Sequence, residues 1–176
     1  MNMNRKLVSI VCLVLLLLTP TIPVQAQGII QAENDSISEL GWIEPFEKIS
    51  PQTNSLQLYG FSPMASGCLT YTLGVNGYSL AGIKIWSYAW NISWCYNGTT
   101  ITSVSKWRTV WANYGWSFKG DIAENHTGGV NKSFYWHYAQ GDFCFIETYT
   151  CVTHSYPWVD QTVFGNGTYS GNAGGN

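Results

Sequence analysis

The sequence predicts an all-β protein, an antiparallel two-sheet β-sandwich of immunoglobulin-like or jelly-roll-like type, with a β-barrel as the alternative. Two observations support this prediction. Val, Ile, Thr, Tyr, Phe and Trp dominate the chain after residue 67, and these side chains favour pleated, half-buried surfaces. Turn signals recur between the β-prone segments, and no window beyond the N-terminus has helical periodicity. Roughly eight to ten short strands separated by regular turns are typical of a sandwich or a barrel.

Three Asn-Gly dipeptides, Asn76-Gly77, Asn97-Gly98 and Asn166-Gly167, predict hairpin turns. Asn and Gly both accept the positive φ that a two-residue hairpin turn requires. The hairpins would pair residues 69–75 with 78–85, 90–96 with 99–104, and 159–165 with 168–170. The second pairing places Trp94 opposite Ile101. We expect further strands at 106–111, 115–119, 134–139 and 143–149, and a long polar loop at 121–132.

The N-terminus has the three parts of a secretory signal. Arg5 and Lys6 supply the positive charge, and residues 7–18 form an apolar run that is too short to span a bilayer. Val24-Gln25-Ala26 then matches the small-x-small cleavage pattern. We therefore expect a signal peptide over residues 1–26, a secreted mature protein, and no membrane span after cleavage. An uncleaved N-terminal anchor is the alternative.

The mature chain divides into an acidic arm and a neutral domain. Residues 27–67 have little periodicity, and we interpret them as an extended, disordered arm that ends in a short strand at 56–61. The folded β-sandwich domain is expected over residues 68–176. The acidic and basic residues of this domain balance, so it has no basic patch of the kind that nucleic-acid binding requires.

Four cysteines remain after the signal peptide, and an even number in an exported protein predicts two disulfides. Four cysteines allow three pairings. Cys144 and Cys151 enclose a segment long enough for a short turn between two strands, which favours Cys144–Cys151 together with Cys68–Cys95. A zinc site at Cys151-x-x-His154 would need further soft ligands in a reduced state. We predict no metal and no cofactor.

Cys95, Trp107 and the Tyr149-x-Cys151 motif resemble the Cys–Trp–Tyr-x-Cys pattern of immunoglobulin domains. The resemblance covers only these positions and would require a Cys95–Cys151 disulfide. It supports a sandwich and identifies no family.

The segment 84–96 alternates between large and small side chains. One face carries an aromatic row with one Ile, and the other face is small and mostly polar, because strand side chains alternate between faces. The row is interpreted first as core, since exposed aromatic rows invite aggregation. The alternative is a platform on which sugar rings stack. Together with two later groups of aromatics, the chain has more rings than one core buries. The candidate ligand-binding residues are Trp86, Trp90, Trp94, Trp107, Trp111 and Trp136.

N-glycosylation motifs provide a second set of candidate sites. Asn-x-Ser/Thr motifs occur at Asn34, Asn91, Asn97, Asn125, Asn131 and Asn166. The alternative interpretation is that Asn, Gly, Ser and Thr are common in turns.

No catalytic motif is evident. A glycosidase needs two carboxylates at a defined separation, and only Glu147 and Asp160 lie in or beside predicted strands of the domain. The three histidines, His126, His137 and His154, accompany no nucleophile motif. We therefore expect a secreted, non-enzymatic protein that binds polysaccharide or a cell-surface glycan through exposed Trp and Tyr. The alternatives are a secreted glycan hydrolase and an exported structural, adhesive or toxin-like protein that acts through protein contacts.

Overall fold

The computed structural model describes residues 40–51 and 66–176, all within one unit of the chain, Glu33–Asn176. These residues form β-strands and no helix, and none of their segments is a helix long and apolar enough to cross a membrane. The strands are β1 (Leu40–Pro51), β2 (Gly67–Ser79), β3 (Lys84–Tyr96), β4 (Ile101–Ala112), β5 (Trp116–Gly128), β6 (Phe134–Glu147), β7 (Thr150–Ser155), β8 (Trp158–Phe164) and β9 (Tyr169–Gly174).

The strands form two antiparallel sheets, which confirms the predicted sandwich. The first sheet has the order β1-β2-β3-β4 and the second has the order β5-β6-β8-β9. Strand β7 also pairs with β6, beside the part of β6 that extends beyond β8. The two sheets pack face to face, so each has an inner face that contributes to the core and an outer face.

The core lies between the inner faces, and the aromatic row of β3 is its centre. Trp86, Tyr88, Trp90, Ile92 and Trp94 are all buried. They pack with inward side chains of β2 and with β6 and β8 of the second sheet. The interpretation of this row as core is therefore correct, and burial of each large ring stabilises the fold by about 2–3 kcal/mol.

One of the three Asn-Gly predictions is wrong. Asn76-Gly77 lies inside β2, and the chain turns later, where the amide nitrogen of Gly82 donates to the carbonyl of Ser79 (2.9 Å). The Trp86 ring lies over Gly77, and a Cβ atom at this position would be 2.2 Å from Cε2 of Trp86. This glycine is required for close packing, and not for a turn.

The other two Asn-Gly dipeptides do connect hairpins. Asn97-Gly98 joins β3 to β4, and Asn166-Gly167 joins β8 to β9. The connections comprise residues 97–100 and 165–168, so each is longer than a two-residue turn, and each Asn accepts hydrogen bonds from residues that follow it. The register consequently differs from the prediction: Trp94 lies opposite Val104, and Tyr96 lies opposite Ile101.

Two segments predicted to be irregular are strands. Part of the expected arm, Leu40–Pro51, is strand β1, which pairs with β2. Most of the expected loop at 121–132 belongs to β5, an edge strand of the second sheet, which explains its polarity. The strands expected at 134–139 and 143–149 are one strand, β6. The predicted signal peptide, the strand at 56–61 and the Asn34 motif lie outside the described residues.

Both disulfides have the predicted pairing. Cys68 and Cys95 are directly opposite each other in β2 and β3, with their Cα atoms 4.0 Å apart. Cys144 and Cys151 join β6 to β7, with their Cα atoms 5.7 Å apart. Cys95 is therefore not bonded to Cys151, and Trp107 is exposed, so the immunoglobulin-like pattern does not describe this sandwich.

Candidate functional site

The exposed tryptophans lie on one surface, the outer face of the first sheet. All nine tryptophans lie in the described residues, and Trp42 (47%), Trp107 (45%) and Trp111 (42%) are the most exposed of them. Trp107 lies opposite Asn91 and Trp111 opposite Ser87, and both partners belong to the outward face of β3. Trp42 lies at the far edge, in β1, and its neighbour Ile43 packs against the core. We call this surface the tryptophan face.

The middle of the tryptophan face consists of small side chains. Gly74, Ala89 and Ser87 lie between the rings, and a Cβ on Gly74 would be 2.7 Å from the Phe46 ring. Trp107 and Trp111 are four residues apart on one strand, or about 13 Å. The four strands span about 14 Å from β1 to β4. The face thus has small side chains at its middle, where the Phe46 ring lies over Gly74, and exposed tryptophan rings at both edges.

Asn91 lies at the centre of this face, and both polar atoms of its side chain are hydrogen-bonded. Its amide nitrogen donates to the Trp107 carbonyl (3.2 Å) and to Oγ1 of Thr109 (3.0 Å). Its Oδ1 accepts from Oγ1 of Thr72 (2.8 Å). Asn91 is only 7% exposed, so these bonds hold β2, β3 and β4 together and fix the backbone that carries Trp107.

Two of the exposed rings are held by neighbours. Trp42 stacks on Tyr78 with ring centroids 5.2 Å apart and an interplanar angle of 12°. Burial and a hydrogen bond with Glu44 raise the pKa of the Tyr78 hydroxyl, which therefore stays neutral. The ammonium of Lys84 lies 5.3 Å from the centre of the Trp111 ring. Such contacts reduce the conformational freedom that a ring loses when it binds a ligand.

The remaining candidate tryptophans do not belong to this face. Trp86, Trp90 and Trp94 are in the core and have no surface to offer a ligand. Trp136 is partly exposed on the outer face of the second sheet, where its Nε1 donates to Oδ1 of Asp160 (2.7 Å).

Charged residues are concentrated where β4, at the edge of the first sheet, lies beside β5, at the edge of the second sheet. We call this boundary the seam. Arg108 bonds to Asp121, and Lys106 bonds to Glu124. Tyr88 donates to Asp121 (2.8 Å) and accepts from Nε1 of Trp90 (2.8 Å). The hydrogen bond from Lys106 lowers the pKa of Glu124. Each seam carboxylate is thus paired with a cation, and for Glu124 the pairing stabilises the ionised form over a proton-donating acid.

His137 is fully buried beside this seam. Its ring lies 4.6 Å from that of Trp90, and its Nε2 is 3.5 Å from Oε1 of Glu124. Burial, assisted by the charge of Lys106, lowers the pKa of His137 to about 4. The histidine is therefore neutral at physiological pH.

The other carboxylates considered for hydrolysis lie on separate parts of the second sheet. Glu147 is exposed at the end of β6, and Asp160 of β8 accepts the bond from Trp136. Glu147 thus lies at a strand end, whereas Asp160 lies beside the Trp136 ring.

The glycosylation motifs differ in accessibility. Asn91 is buried and its amide is bonded, so it offers no attachment point in the folded protein. The other described motif residues, Asn97, Asn125, Asn131 and Asn166, are exposed.

One cluster of metal-type ligands occurs among the described residues, at Cys144, Cys151 and His154. Both cysteines belong to a disulfide, so this set does not provide thiolate ligands in the oxidised protein.

Sequence reasoning missed Trp42, which it assigned to the arm. The signal was present, since Ile43 and Ile49 alternate with outward positions in β1. Pro45 and Pro51 weakened that signal, although an edge strand tolerates proline.

Comparisons with family models, with curated proteins and with solved structures found no match to this chain.

Proposed function

We propose that this protein is a secreted, non-enzymatic carbohydrate-binding protein, whose tryptophan face binds a polysaccharide or a cell-surface glycan. The observation that supports this most strongly is the position of the exposed tryptophans, which all lie on one outer face. Exposed apolar patches on a monomeric domain mark interaction surfaces.

The chemistry of the face suits a sugar. Flat rings cover the apolar faces of pyranoses, and amide and hydroxyl groups exchange hydrogen bonds with sugar hydroxyls. Between its rings the tryptophan face carries Asn76, Thr109 and Ser87, which are uncharged. The separation of about 13 Å between Trp107 and Trp111 fits rings that contact non-adjacent units of one chain.

Secretion is supported by the two disulfides, since such bonds form and persist in oxidising compartments. A glycan on a cell wall or a cell surface is accessible to a protein in that location.

The test is retention of the purified protein on insoluble polysaccharides from plant, fungal and bacterial walls, with tryptophan fluorescence as a second readout. We expect retention on at least one polymer. Trp107→Ala and Trp111→Ala should each weaken binding roughly 2- to 12-fold, the effect of losing about 0.5–1.5 kcal/mol of ring contact.

Trp136→Ala is the matched control because this partly exposed ring lies on the opposite outer face, so binding should be unchanged. Unaltered fluorescence and no retention on any polymer would contradict the proposal. Release of soluble sugar would favour the hydrolase alternative, and Glu147→Gln should then abolish it. Concentration-dependent self-association in light scattering would favour action through protein contacts.

A further inference from the structure

The hairpin of β6 and β7 contains a disulfide whose two sulfurs differ in access. Cys144 is fully buried, whereas Cys151 is exposed. The turn between the strands consists of Thr148 and Tyr149, both with positive φ, and the Tyr149 side chain is fully exposed. A thiol from another molecule can therefore approach Cys151 without displacing any part of the sandwich.

A histidine and an aspartate are aligned on this exposed sulfur. Nε2 of His154 lies 3.0 Å from Sγ of Cys151, and Nδ1 of His154 lies 2.6 Å from Oδ1 of Asp142. The strand pairing produces this arrangement, because His154 lies opposite Cys144 and Asp142 is two residues before Cys144 on the same face. The Tyr156 ring stacks on the imidazole, with centroids 5.7 Å apart and an interplanar angle of 10°.

This order of groups has a specific chemical consequence. When the Asp142 carboxylate accepts from Nδ1–H, the lone pair of Nε2 is directed at the Cys151 sulfur. In the reduced protein Nε2 can take the thiol proton, which leaves a thiolate beside an imidazolium. Such pairing activates a cysteine as a nucleophile and as a leaving group.

We propose that Cys144–Cys151 is a thiol–disulfide exchange site that accepts electrons from dithiols, with Cys151 as the reacting sulfur and His154 and Asp142 as residues that stabilise its thiolate. The substrate class is a protein or small-molecule dithiol. The site lies in the second sheet and is independent of the tryptophan face.

The exchange balances without a further reactant. One substrate thiolate attacks Sγ of Cys151, the Cys144–Cys151 bond breaks, and Cys144 leaves and is protonated. The second substrate thiol, after losing its proton, attacks the substrate sulfur of the mixed disulfide, and Cys151 leaves as a thiolate beside protonated His154. Two electrons and two protons pass from the dithiol, which becomes a disulfide, to the two cysteines.

The direct test measures the alkylation of Cys151 by iodoacetamide in Cys144→Ser, with and without His154→Ala, across pH 6 to 9 with a chelator present. At pH 6.5 the variant that retains His154 should react about fivefold faster, because more of its Cys151 is ionised. At pH 9 the order should reverse, because the more acidic thiol is the weaker nucleophile once both are ionised.

This crossing of the two pH profiles is an effect that loss of packing alone would not produce. Asp142→Asn should shift the profile in the same direction as His154→Ala. His126→Ala, at an exposed histidine of β5, is the matched control and should leave the profile unchanged. Identical profiles with and without His154 would overturn the proposal.

A second measurement uses the full chain with its native cysteines, so it does not depend on the folding of Cys144→Ser. The protein is incubated with dithiothreitol at pH 7, quenched by alkylation, and mapped by peptide mass. We expect Cys144–Cys151 to open at least about tenfold faster than Cys68–Cys95, because Cys151 is exposed to the attacking thiolate, and His154→Ala to slow the later release of Cys151 from its mixed disulfide. Equal opening rates for the two disulfides would contradict an exchange site.

Discussion

Strands β3 and β4 are neighbours in the same sheet, and both carry tryptophans four residues apart, yet the two sets have opposite positions. Trp90 and Trp94 of β3 lie in the core, whereas Trp107 and Trp111 of β4 lie on the outer face. The pairing explains the difference, because Asn91 and not Trp90 lies opposite Trp107. A spacing of four places tryptophans on one face of a strand, but the register decides which face that is.

The largest test of this comparison is truncation of one ring from each set. Trp94→Ala should lower the free energy of unfolding by about 3–5 kcal/mol, because it leaves a cavity in the core and removes the bond from Nε1 to the Phe164 carbonyl. Denaturant titration measures this change. Trp107→Ala is the matched control from β4, and an equal loss in both variants would show that the two sets are not distinct.

The next largest effect tests how tightly β3 packs on β2. Gly77→Ala should cost about 1–3 kcal/mol, since its Cβ would overlap the Trp86 ring. Thermal unfolding measures the cost. Asn76→Ala, one residue earlier and on the outer face, should change stability by no more than about 0.5 kcal/mol. A stable Gly77→Ala protein with an unchanged unfolding curve would contradict the close contact.

The pH dependence of stability tests the environment of Trp90. His137 has a pKa of about 4 in the folded protein, below its value of about 6.5 when unfolded. The unfolded chain therefore binds more protons between these values, and stability falls as the pH decreases from 6.5 towards 4. Between pH 7 and pH 5 the loss should be roughly 2 kcal/mol.

His137→Gln should remove this loss, and urea titrations at the two pH values measure it. Glu124, Lys106 and His126 are the other charged or titratable groups that act on His137. Glu124 has a lowered pKa and its contribution is lost only at lower pH, below about 4.5, so the chosen window separates the two groups. A variant that keeps the full pH dependence would assign the effect to another residue.

The smallest stability effect is expected on the tryptophan face. Trp107→Ala and Trp111→Ala should each change the free energy of unfolding by no more than about 0.5–1 kcal/mol, since the rings are nearly half exposed. Acrylamide quenching of the folded protein should fall in these variants and remain unchanged in Trp94→Ala if that variant folds. Unchanged quenching in the β4 variants would place their rings away from solvent.

The sequence was sufficient for the fold class, because β-prone composition and cysteine number are local properties. Composition also identified a surplus of rings, and the alternation of β3 identified its core face. The face of Trp107 and Trp111 was not predictable, because it depends on a pairing with β3 whose register was shifted by the longer turn at Asn97. The role of Gly77 was not predictable either. A glycine that makes room for a ring distant in sequence, here Trp86, follows an Asn in the same way as a glycine in a hairpin turn.

Some site residues were not predictable for a different reason. Trp42 and Phe46 belong to an edge strand whose prolines and charges are typical of irregular segments. Cys151 and His154 are close along the chain, whereas Asp142 joins them through cross-strand pairing in the hairpin, which no spacing along the chain indicates.

The bonded amide of Asn91 also bears on how the protein can be produced. Asparagine glycosylation takes place on the emerging chain, before β3 and β4 have paired. A sugar attached to Asn91 would occupy the nitrogen that bonds to the Trp107 carbonyl and to Thr109, on a side chain that is only 7% exposed in the folded protein. In a eukaryotic expression host, attachment at this one asparagine would compete with folding, whereas attachment at the exposed turn of Asn97 would not. A host that does not attach sugars to asparagine avoids this competition at Asn91.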